Sequence, residues 1–400
     1  MDKFLVSLNL ISIYKNILND KVVSKFIVFL KELETSLDLN TIFLSYSNFI
    51  AELYKEEKNQ NFFSYIKFLL HTDENIVSKK PFELNQTLIN TAEYELSLIS
   101  DMFQFNFGFI QDTLYNKFPS FQFLVNNLPR FTMDGYSRFY FDDILNSYKT
   151  NGYGILSCYS AFKLENDGEV TPVENFDNIC FKDLKNYEYQ KDVISKNTLA
   201  FLNDKPANNI LLYGDRGCGK SSTVKALVNE FQSYNLKIIQ ISKESFIKLP
   251  SLYEKLRNFP SKFILFIDDL SFEENEVNFS LIKAILEGSV CSTPDNTLLY
   301  ATTNRIHFIK ETFSGREGNE VHCNDTIDEA VSLSDRFGIV LTFSSLTKNE
   351  YIDIVNKIAI DKSIEIDENL NKSALMFSMQ KGIMTPRIAR QFINDYISAI

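Results

Sequence analysis

The sequence predicts an α/β protein with a five-stranded, parallel, doubly wound sheet, preceded by a mostly helical domain and followed by a small helical lid. Three observations predict this architecture. Apolar positions recur at helical spacing before residue 164, in stretches such as KVVSKFIVFLKELETSL. Five short β-rich runs then alternate with helical stretches, which is the pattern of a parallel sheet. No strand signal follows residue 346.

The same changes of pattern give the predicted domain boundaries. Residues 1–163 form a Phe/Tyr-rich, mostly helical domain. Residues 164–180 are polar and acidic and contain Gly and Pro, so we expect a linker or an extended crossing segment. Residues 181–346 form the α/β core, and residues 347–400 form the helical lid.

One passage of the first domain is ambiguous. Phe103, Phe105, Phe107 and Phe109 alternate along the chain, which is typical of a strand. We expect these aromatic side chains to fill the core, and the alternative is a groove for a partner that binds aromatic surfaces.

Length and composition limit the class of protein. A chain of 400 residues exceeds the roughly 250–300 at which a single core stops growing. The 36 Phe and 19 Tyr supply large side chains for more than one core. The five cysteines are scattered and form no CxxC, which predicts a reducing compartment without a disulfide framework or a zinc site. No run approaches the ~20 apolar residues of a membrane span, so we expect a cytoplasmic protein without a membrane partner.

The charge is acidic and uneven. The formal net charge is −11, and residues 1–180 contain 15 Lys and Arg against 23 Asp and Glu. This balance argues against a nonspecific nucleic-acid-binding protein, although it leaves room for a local basic patch.

The first β-rich run leads into the clearest motif of the chain. The five runs are Asn209–Tyr213, Lys237–Ile241, Phe263–Ile267, Thr297–Ala301 and Ile339–Phe343. After the first run, GDRGCGKS fits G-x-x-x-x-G-K-[ST] in full, and a helical pattern follows. We call residues 214–221 the phosphate loop. Its backbone N–H groups and the helix N-terminus are suited to phosphates, Lys220 to the β/γ-phosphates, and Ser221 to Mg²⁺. The predicted nucleotide-binding residues are Gly214, Asp215, Arg216, Gly217, Cys218, Gly219, Lys220, Ser221 and Ser222.

A pair of carboxylates follows the third run. FILFI is apolar enough for a buried strand, and Asp268 and Asp269 come directly after it. Ligands of open α/β sheets bind at the carboxyl ends of the strands. Asp268 is therefore the predicted Mg²⁺-organising carboxylate, and Asp269 is predicted to orient or deprotonate the attacking water. The alternative is an Asp pair that only caps the next helix.

These motifs resemble those of the AAA+ ATPases. GDRGCGKS looks like Walker A and FILFIDD looks like Walker B. LLYATTN looks like the sensor-1 strand, with Asn304 as the polar sensor. SDRFG looks like the arginine-finger box, with Arg336 as the finger, and TPRIAR looks like the sensor-2 helix, with Arg387 as the sensor. The resemblance implies ATP and Mg²⁺ as cofactors and, through the finger, a homo-oligomer.

Each of these three polar residues also has a structural alternative. Arg336 could form an ion pair with Asp335, Arg387 could be a solvated helix arginine, and Asn304 could belong to a turn with Arg305.

The resemblance is closer to one uncharacterised bacterial branch of ATP-binding proteins of unknown function. It covers about residues 150–400, and the first ~150 residues carry no motif of this kind. The similar segments are Tyr187–Gln190, Asn197-Thr198, PANNILLYGDRGCGKSS, FIDDLSFEE, PDNTLLYATTNR, SLSDRFG and PRIARQF.

One departure from the common AAA+ pattern bears on the rate. Walker B usually ends Asp-Glu, and here it ends Asp268-Asp269, with a side chain one methylene shorter. We therefore expect slow hydrolysis, with Glu273 or Glu274 as alternative contributors.

Tyr187, Tyr189 and Gln190 are candidates for adenine contacts or for ordinary core and surface positions. Cys218 lies near a helix N-terminus, which is expected to lower its thiol pKa.

The predicted function is that of an ATP-binding AAA+ protein, an ATPase that couples slow, Mg²⁺-dependent hydrolysis to the remodelling of an unknown protein partner. Two alternatives stay open. One is a nucleotide-gated switch or scaffold with little turnover, suggested by the Asp-Asp pair. The other is a DNA-associated loader or repair ATPase, which the acidic charge does not favour.

Overall fold

The computed structural model describes most of the chain, namely residues 1–56, 61–133, 138–270, 292–304 and 336–399. Several predicted positions lie outside these ranges. They include Glu273 and Glu274, the alternative contributors to catalysis, Arg305 of the turn alternative for Asn304, and Ser334 and Asp335 of the arginine-finger box.

The chain divides into two compact units, Met1–Cys158 and Tyr159–Ile400, so the division falls between 158 and 159 rather than between 163 and 164. The first unit is helical, as predicted. Its described helices are α1 (Asp2–Ser7), α2 (Lys15–Leu18), α3 (Lys21–Thr35), α4 (Leu39–Lys55), α5 (Phe62–Thr72), α6 (Ile76–Lys79), α7 (Gln86–Ser100), α8 (Phe107–Lys117), α9 (Gln122–Asn126), α10 (Phe141–Asn151) and α11 (Ile155–Cys158).

The core of the first unit is built from aromatic rings. Asp20 begins α3, because its side chain accepts hydrogen bonds from two backbone N–H groups of the first turn. Inside the unit, the ring of Phe26 lies 4.7 Å from that of Phe62, and the ring of Phe49 lies 5.3 Å from that of Phe131. Tilted and edge-on pairs of this kind stabilise a core beyond the area that they bury.

The alternating phenylalanines lie in and between two helices, so the strand-like interpretation is wrong. Phe103 belongs to a short 3₁₀ helix, and Phe107 and Phe109 belong to α8. Asn106 caps α8 by accepting a hydrogen bond from the Phe109 backbone N–H at 3.0 Å. The alternation spans the junction of two helices, and a period of two residues there does not indicate a strand.

The second unit contains one mixed sheet. Its strands are β1 (Ala161–Leu164), β2 (Val170–Pro172), β3 (Ile210–Gly214), β4 (Leu236–Ile241), β5 (Lys262–Ile267), β6 (Thr297–Thr303) and β7 (Ile339–Phe343). Their order across the sheet is β2-β1-β4-β5-β6-β3-β7. All five predicted strands, β3 to β7, are present and parallel, and the α/β class is confirmed.

The sheet has two strands that the sequence analysis missed. β1 pairs in parallel with β4, and β2 pairs antiparallel with β1. Both lie where we expected the end of the helical domain and a linker. These runs are only four and three residues long, and β2 includes a proline. Such runs show no periodicity of their own, and only pairing with a neighbouring strand, β4 for β1 and β1 for β2, makes them strands.

Helices cover the sheet and form the predicted lid. The described helices of the core are α12 (Glu188–Leu202), α13 (Lys220–Glu230) and α14 (Leu249–Leu256), and those of the lid are α15 (Lys348–Asp361), α16 (Glu368–Lys381) and α17 (Pro386–Ala399). The lid has its own apolar core, which includes Tyr351, Leu370 and Phe392. Within the described residues, no helix combines the length and the apolar character of a membrane span.

Candidate functional site

The phosphate loop connects β3 to α13 through three glycines with positive φ. The φ angles are 143° at Gly214, 83° at Gly217 and 92° at Gly219. A Cβ atom on Gly214 would lie 2.0 Å from the backbone oxygen of Phe343, so the contact between β3 and β7 also requires glycine there. The sequence predicted glycines for the curl of the loop, and the neighbouring strand adds a second reason.

Lys220 lies at the start of α13 and points into the loop. Its ammonium group donates hydrogen bonds to the backbone oxygens of Gly214 at 2.7 Å and Asp215 at 2.8 Å, and to Asn304 Oδ1 at 2.7 Å. Lys220 is only 7% exposed, and burial lowers its pKa from the ordinary lysine value. The Lys220 ammonium group is therefore hydrogen-bonded to three neutral oxygens, and a phosphate would bind it more strongly than they do.

Ser221 and Asp268 meet although 47 residues separate them in the sequence. The Ser221 hydroxyl donates to Asp268 Oδ1 at 2.6 Å, and the Thr302 hydroxyl donates to the same oxygen at 2.7 Å. Hard oxygen atoms are the ligands that Mg²⁺ prefers, and one or two protein ligands suffice when phosphates and waters supply the others. The described residues contain no cluster of three or more His, Cys, Asp or Glu able to hold a metal ion. The pair of Ser221 and Asp268 thus fits Mg²⁺ that arrives with a nucleotide.

Asp269 and Asn304, the predicted water-orienting residue and polar sensor, are in direct contact. Asn304 Nδ2 donates to Asp269 Oδ1 at 2.7 Å, while Asn304 Oδ1 accepts from Lys220. Asn304 therefore joins Lys220 to the second carboxylate. Asp269 has φ of 56°, in the left-handed region, so a turn directly after β5 directs its side chain.

The lid meets the phosphate loop at Arg387. Its backbone N–H donates to the Gly217 oxygen at 3.3 Å, and α17 begins beside it at Pro386. Thr385 accepts a hydrogen bond from the Ile388 N–H at 3.3 Å and so caps the start of this helix. The predicted sensor arginine of the lid thus lies against the phosphate loop.

A pocket lies between the phosphate loop, the segment before α12 and the lid. Tyr187 lines it, whereas Tyr189 is 72% exposed and Gln190 donates to the Thr342 oxygen at 2.7 Å. Of the three candidates for adenine contacts, only Tyr187 therefore faces the pocket. The other side chains along its wall include Cys218, Ser222, Thr223, Ile354, Ile358, Arg387 and Arg390.

Sequence reasoning missed several of these residues. Ile354 and Ile358 come from α15, and their helical spacing indicated only a lid core. Arg390 lies one helical turn after Arg387, and that spacing of three residues was the signal for a second arginine on the same face. The Arg390 side chain donates to the Asp183 oxygen at 3.3 Å.

The phosphate loop is also tied to the segment between β7 and α15. Asp215 Oδ2 accepts hydrogen bonds from the backbone N–H and the hydroxyl of Ser345. Tyr187 donates to the Ser344 oxygen at 2.7 Å, and Cys218 donates to the same oxygen at 3.6 Å. These contacts join the phosphate loop to the chain segment that leads into the lid.

The predicted effect of the helix N-terminus on Cys218 is wrong. Cys218 is 1% exposed, and burial raises the pKa of its thiol above the ordinary cysteine value. The desolvation of a thiolate outweighs the favourable helix dipole at this position. Cys218 is therefore a core residue of the loop.

Arg336 is exposed in the turn before β7, and Arg216 is exposed in the phosphate loop. β7 runs parallel to β3, with Ile339 opposite Ile210 and Phe343 opposite Gly214. Arg336 precedes the amino end of β7, so it lies at the edge of the sheet opposite to the phosphate loop. The structure does not bring Arg336 together with the other predicted site residues of this chain.

A parallel sheet with the phosphate loop after β3, two carboxylates after β5, a polar residue after β6 and a helical lid defines a P-loop protein of the AAA+ class. The chain belongs to the family described as protein of unknown function (DUF815), whose model matches residues 157–400. The predicted resemblance to a family of unknown function is thereby confirmed.

Several solved structures are similar to about half of the chain. One is a RuvB variant from Thermotoga maritima, which is 18% identical to this chain. The match covers 52% of this chain and 63% of the variant, with a TM-score of 0.35. The Thermotoga maritima RuvB Holliday junction branch migration motor has 16% identity, 53% and 72% coverage, and a TM-score of 0.31. The FIGL-1 AAA domain in complex with ADP has 18% identity, 51% and 68% coverage, and a TM-score of 0.35.

At these identities the likeness concerns the fold alone. The match spans less than two thirds of the RuvB variant's length. No curated protein sequence matches this chain.

Proposed function

We propose that this protein is an ATPase of the AAA+ class that binds Mg-ATP and uses its hydrolysis to remodel a protein partner. One observation carries the proposal. Five polar residues from three separate segments form two hydrogen-bonded groups at the carboxyl edge of the sheet, one of Lys220, Asn304 and Asp269 and one of Ser221 and Asp268.

Each residue has a distinct task in phosphoryl transfer. The N–H groups of the phosphate loop and Lys220 bind the phosphates, because a charged acceptor competes well against the three neutral oxygens around the ammonium. Ser221 and Asp268 would hold Mg²⁺, which neutralises charge on the phosphates. Asp269 and Asn304 are placed to orient a water molecule, since one offers an acceptor and the other a donor.

The position of Arg336 favours an oligomer. Arg336 precedes β7, and the far end of β7 lies beside the phosphate loop. The length of β7 therefore separates Arg336 from a phosphate bound to its own chain. In a head-to-tail ring it would instead reach the nucleotide of a neighbouring subunit. An arginine in that place contributes about 10³–10⁵ to the rate. Homo-oligomerisation is therefore part of the proposal.

The lid supplies the coupling between nucleotide and partner. Arg387 and Arg390 belong to one helix and line the pocket next to the phosphate loop. Cations there interact differently with ATP and ADP, and a difference in binding is what shifts the equilibrium of a lid. The hydrogen bonds that Asp215 accepts from Ser345 give the same loop a second connection to the lid segment. A cytoplasmic location remains a prediction.

The test is an assay of phosphate release against subunit concentration, with four samples: wild type, Arg336→Ala, Lys220→Ala and an equal mixture of the two variants. We expect wild-type specific activity to rise with concentration as subunits assemble. Arg336→Ala should bind ATP normally and lose at least about 100-fold in turnover, because the lost contact forms mainly in the transition state. The mixture should regain part of the activity, since some interfaces then pair an intact loop with an intact arginine.

Arg257→Ala is the matched control, because Arg257 is an arginine of the same unit that contacts Ser292 rather than the site. It should hydrolyse ATP at the wild-type rate. Wild-type turnover that is independent of concentration and insensitive to Arg336→Ala would remove the oligomeric mechanism. Absence of ATP binding by the wild type would remove the proposal as a whole.

A nucleotide-gated switch is the second candidate, and the geometry of Asp269 favours it. Asp269 is one methylene shorter than the usual Glu, and its carboxylate is already engaged by Asn304. A switch would bind Mg-ATP tightly and turn it over in hours rather than seconds. Asp269→Glu separates the two functions, because the longer side chain should speed hydrolysis in an ATPase and leave a switch unchanged.

A further inference from the structure

The loop after β5 contacts one residue, Thr302, to which none of the sequence motifs gives a role. Thr302 lies near the end of β6, is 2% exposed and contacts both carboxylate residues. Its hydroxyl donates to Asp268 Oδ1 at 2.7 Å, and its Oγ1 accepts from the Asp269 backbone N–H at 2.9 Å. Its backbone oxygen accepts from the Leu270 N–H at 2.6 Å. Asp268, Asp269 and Leu270, which directly follow β5, are therefore all hydrogen-bonded to Thr302.

We propose that Thr302 is a positioning residue. It fixes the position of the metal-binding carboxylate of Asp268 relative to the water-orienting carboxylate of Asp269. This inference rests on the proposed ATPase function, and it concerns the relative placement of the two carboxylates.

The hydrogen-bond pattern gives the threonine hydroxyl one orientation. Because Oγ1 accepts from the Asp269 N–H, its own proton is left for Asp268. A hydroxyl that has both a fixed donor and a fixed acceptor cannot rotate without losing one of them. Asp268 is thus held on one oxygen by Thr302 while Ser221 approaches the same oxygen from α13.

The second consequence concerns the backbone of Asp269. Its φ of 56° is costly for a residue other than glycine, so the surroundings must stabilise it. The hydrogen bonds from the Asp269 and Leu270 N–H groups to Thr302 supply that stabilisation. The turn directs the Asp269 carboxylate to Asn304. Removal of the Thr302 hydroxyl should therefore disturb metal binding and water orientation together.

The experiment compares Thr302→Val, which keeps the shape and removes the hydroxyl, with Thr302→Ser, which keeps the hydroxyl. The matched control is Thr297→Val, at the other end of β6. Thr297 is also buried, at 4% exposed, and its hydroxyl donates to the Pro294 oxygen at 3.0 Å. For each protein we would measure the Mg²⁺ concentration that gives half-maximal binding of a fluorescent ATP analogue, the kcat for ATP, and the thermal midpoint.

Partners that orient a metal ligand typically change affinity or activity by 10–100-fold. We expect Thr302→Val to raise the half-maximal Mg²⁺ concentration about tenfold and to lower kcat about 10–100-fold, with Thr302→Ser within about threefold of wild type. Thr297→Val should match the wild type in both quantities. If Thr302→Val does not fold, Thr302→Cys carries the same test, because a thiol is a weak donor of similar size.

The outcomes separate the two proposals. A wild-type Mg²⁺ response and kcat in Thr302→Val would overturn the role of Thr302 and leave the ATPase intact. Equal losses in Thr302→Val and Thr297→Val would also overturn it, because they would reflect general damage to β6. A wild type without any Mg²⁺-dependent nucleotide binding would overturn both.

Discussion

The two compact units each bury a charged side chain, and the surroundings of the two charges differ. In the first unit, Glu95 of α7 is 0% exposed. Its carboxylate accepts from the backbone N–H and hydroxyl of Ser12 at 2.8 and 2.6 Å, from the Ile13 N–H at 2.9 Å and from the Tyr14 N–H at 3.1 Å. These donors lie more than 80 residues earlier in the chain, so Glu95 fastens the segment before α2 to α7.

In the second unit, Lys220 is also buried, but it lies at the edge of a sheet, in a loop of glycines. Its partners are two backbone oxygens and the side chain of Asn304, which also contacts Asp269. A buried charge with partners fixed in the interior serves the fold. A buried charge with neutral, exchangeable partners at a strand end is ready for an anion. The comparison teaches that burial alone does not distinguish the two roles, whereas the position and replaceability of the partners do.

The largest effect should come from Lys220→Ala. Loss of two charge-assisted hydrogen bonds to phosphate, each worth about 2 kcal/mol, predicts about 1,000-fold weaker binding of Mg-ATP. Calorimetric titration measures it. Lys237→Ala is the matched control, because Lys237 is a buried lysine of the same unit that donates to the Tyr159 oxygen at 3.0 Å. Near wild-type affinity in Lys220→Ala would break the comparison, since the two lysines would then be equivalent.

Glu95→Gln should produce the opposite profile. The amide keeps one oxygen and turns a donor toward backbone N–H groups, so we expect the free energy of unfolding to fall by about 3 kcal/mol. ATP affinity should not change. Denaturant unfolding followed by circular dichroism measures the loss, with Glu93→Gln on the exposed face of the same helix as the control within about 0.5 kcal/mol. A stability equal to that of the control would show that the buried carboxylate is dispensable.

Gly214→Ala tests how firmly the phosphate loop is joined to the sheet. The added Cβ would overlap the Phe343 backbone oxygen, whereas a Cβ on Gly382, after α16, would meet nothing within 4 Å. Both glycines have positive φ, so Gly382→Ala isolates the conformational cost, about 1 kcal/mol. We expect Gly214→Ala to cost about 2 kcal/mol more, measured by thermal unfolding. Equal costs would mean that β7 can move away from β3 freely.

The smallest effect concerns one thiol of each unit. Cys158 of the first unit is exposed, and Cys218 in the phosphate loop is buried with a raised pKa. At pH 8 iodoacetamide should label Cys218 more slowly than Cys158, because thiolate is the reactive form and the raised pKa of the buried Cys218 leaves less of it. Site-resolved mass spectrometry measures both rates, with Mg-ATP slowing only Cys218. Faster labelling of Cys218 would restore the helix-dipole argument.

The sequence alone predicted the candidate site of the second unit. Glycines, a lysine and a serine at fixed spacing have one well-known use, and an apolar run ending in two aspartates places carboxylates at a strand end whatever the neighbouring strands are. Asn304 and Arg387 followed from resemblance, and the structure places Asn304 against Lys220 and Arg387 against Gly217. These predictions depend on local pattern, which a sequence displays directly.

Only the tertiary structure decided which distant groups meet. Thr302 appeared as one more residue of an apolar strand, and its hydrogen bonds to Asp268 and Asp269 exist because β5 and β6 are neighbours. β1 is a strand because it pairs with β4. The hydrogen-bond donors to Glu95 lie more than 80 residues away in the sequence. Contacts of this kind depend on the relative placement of whole elements, which is set by the packing of many side chains together and leaves no periodic trace in the sequence.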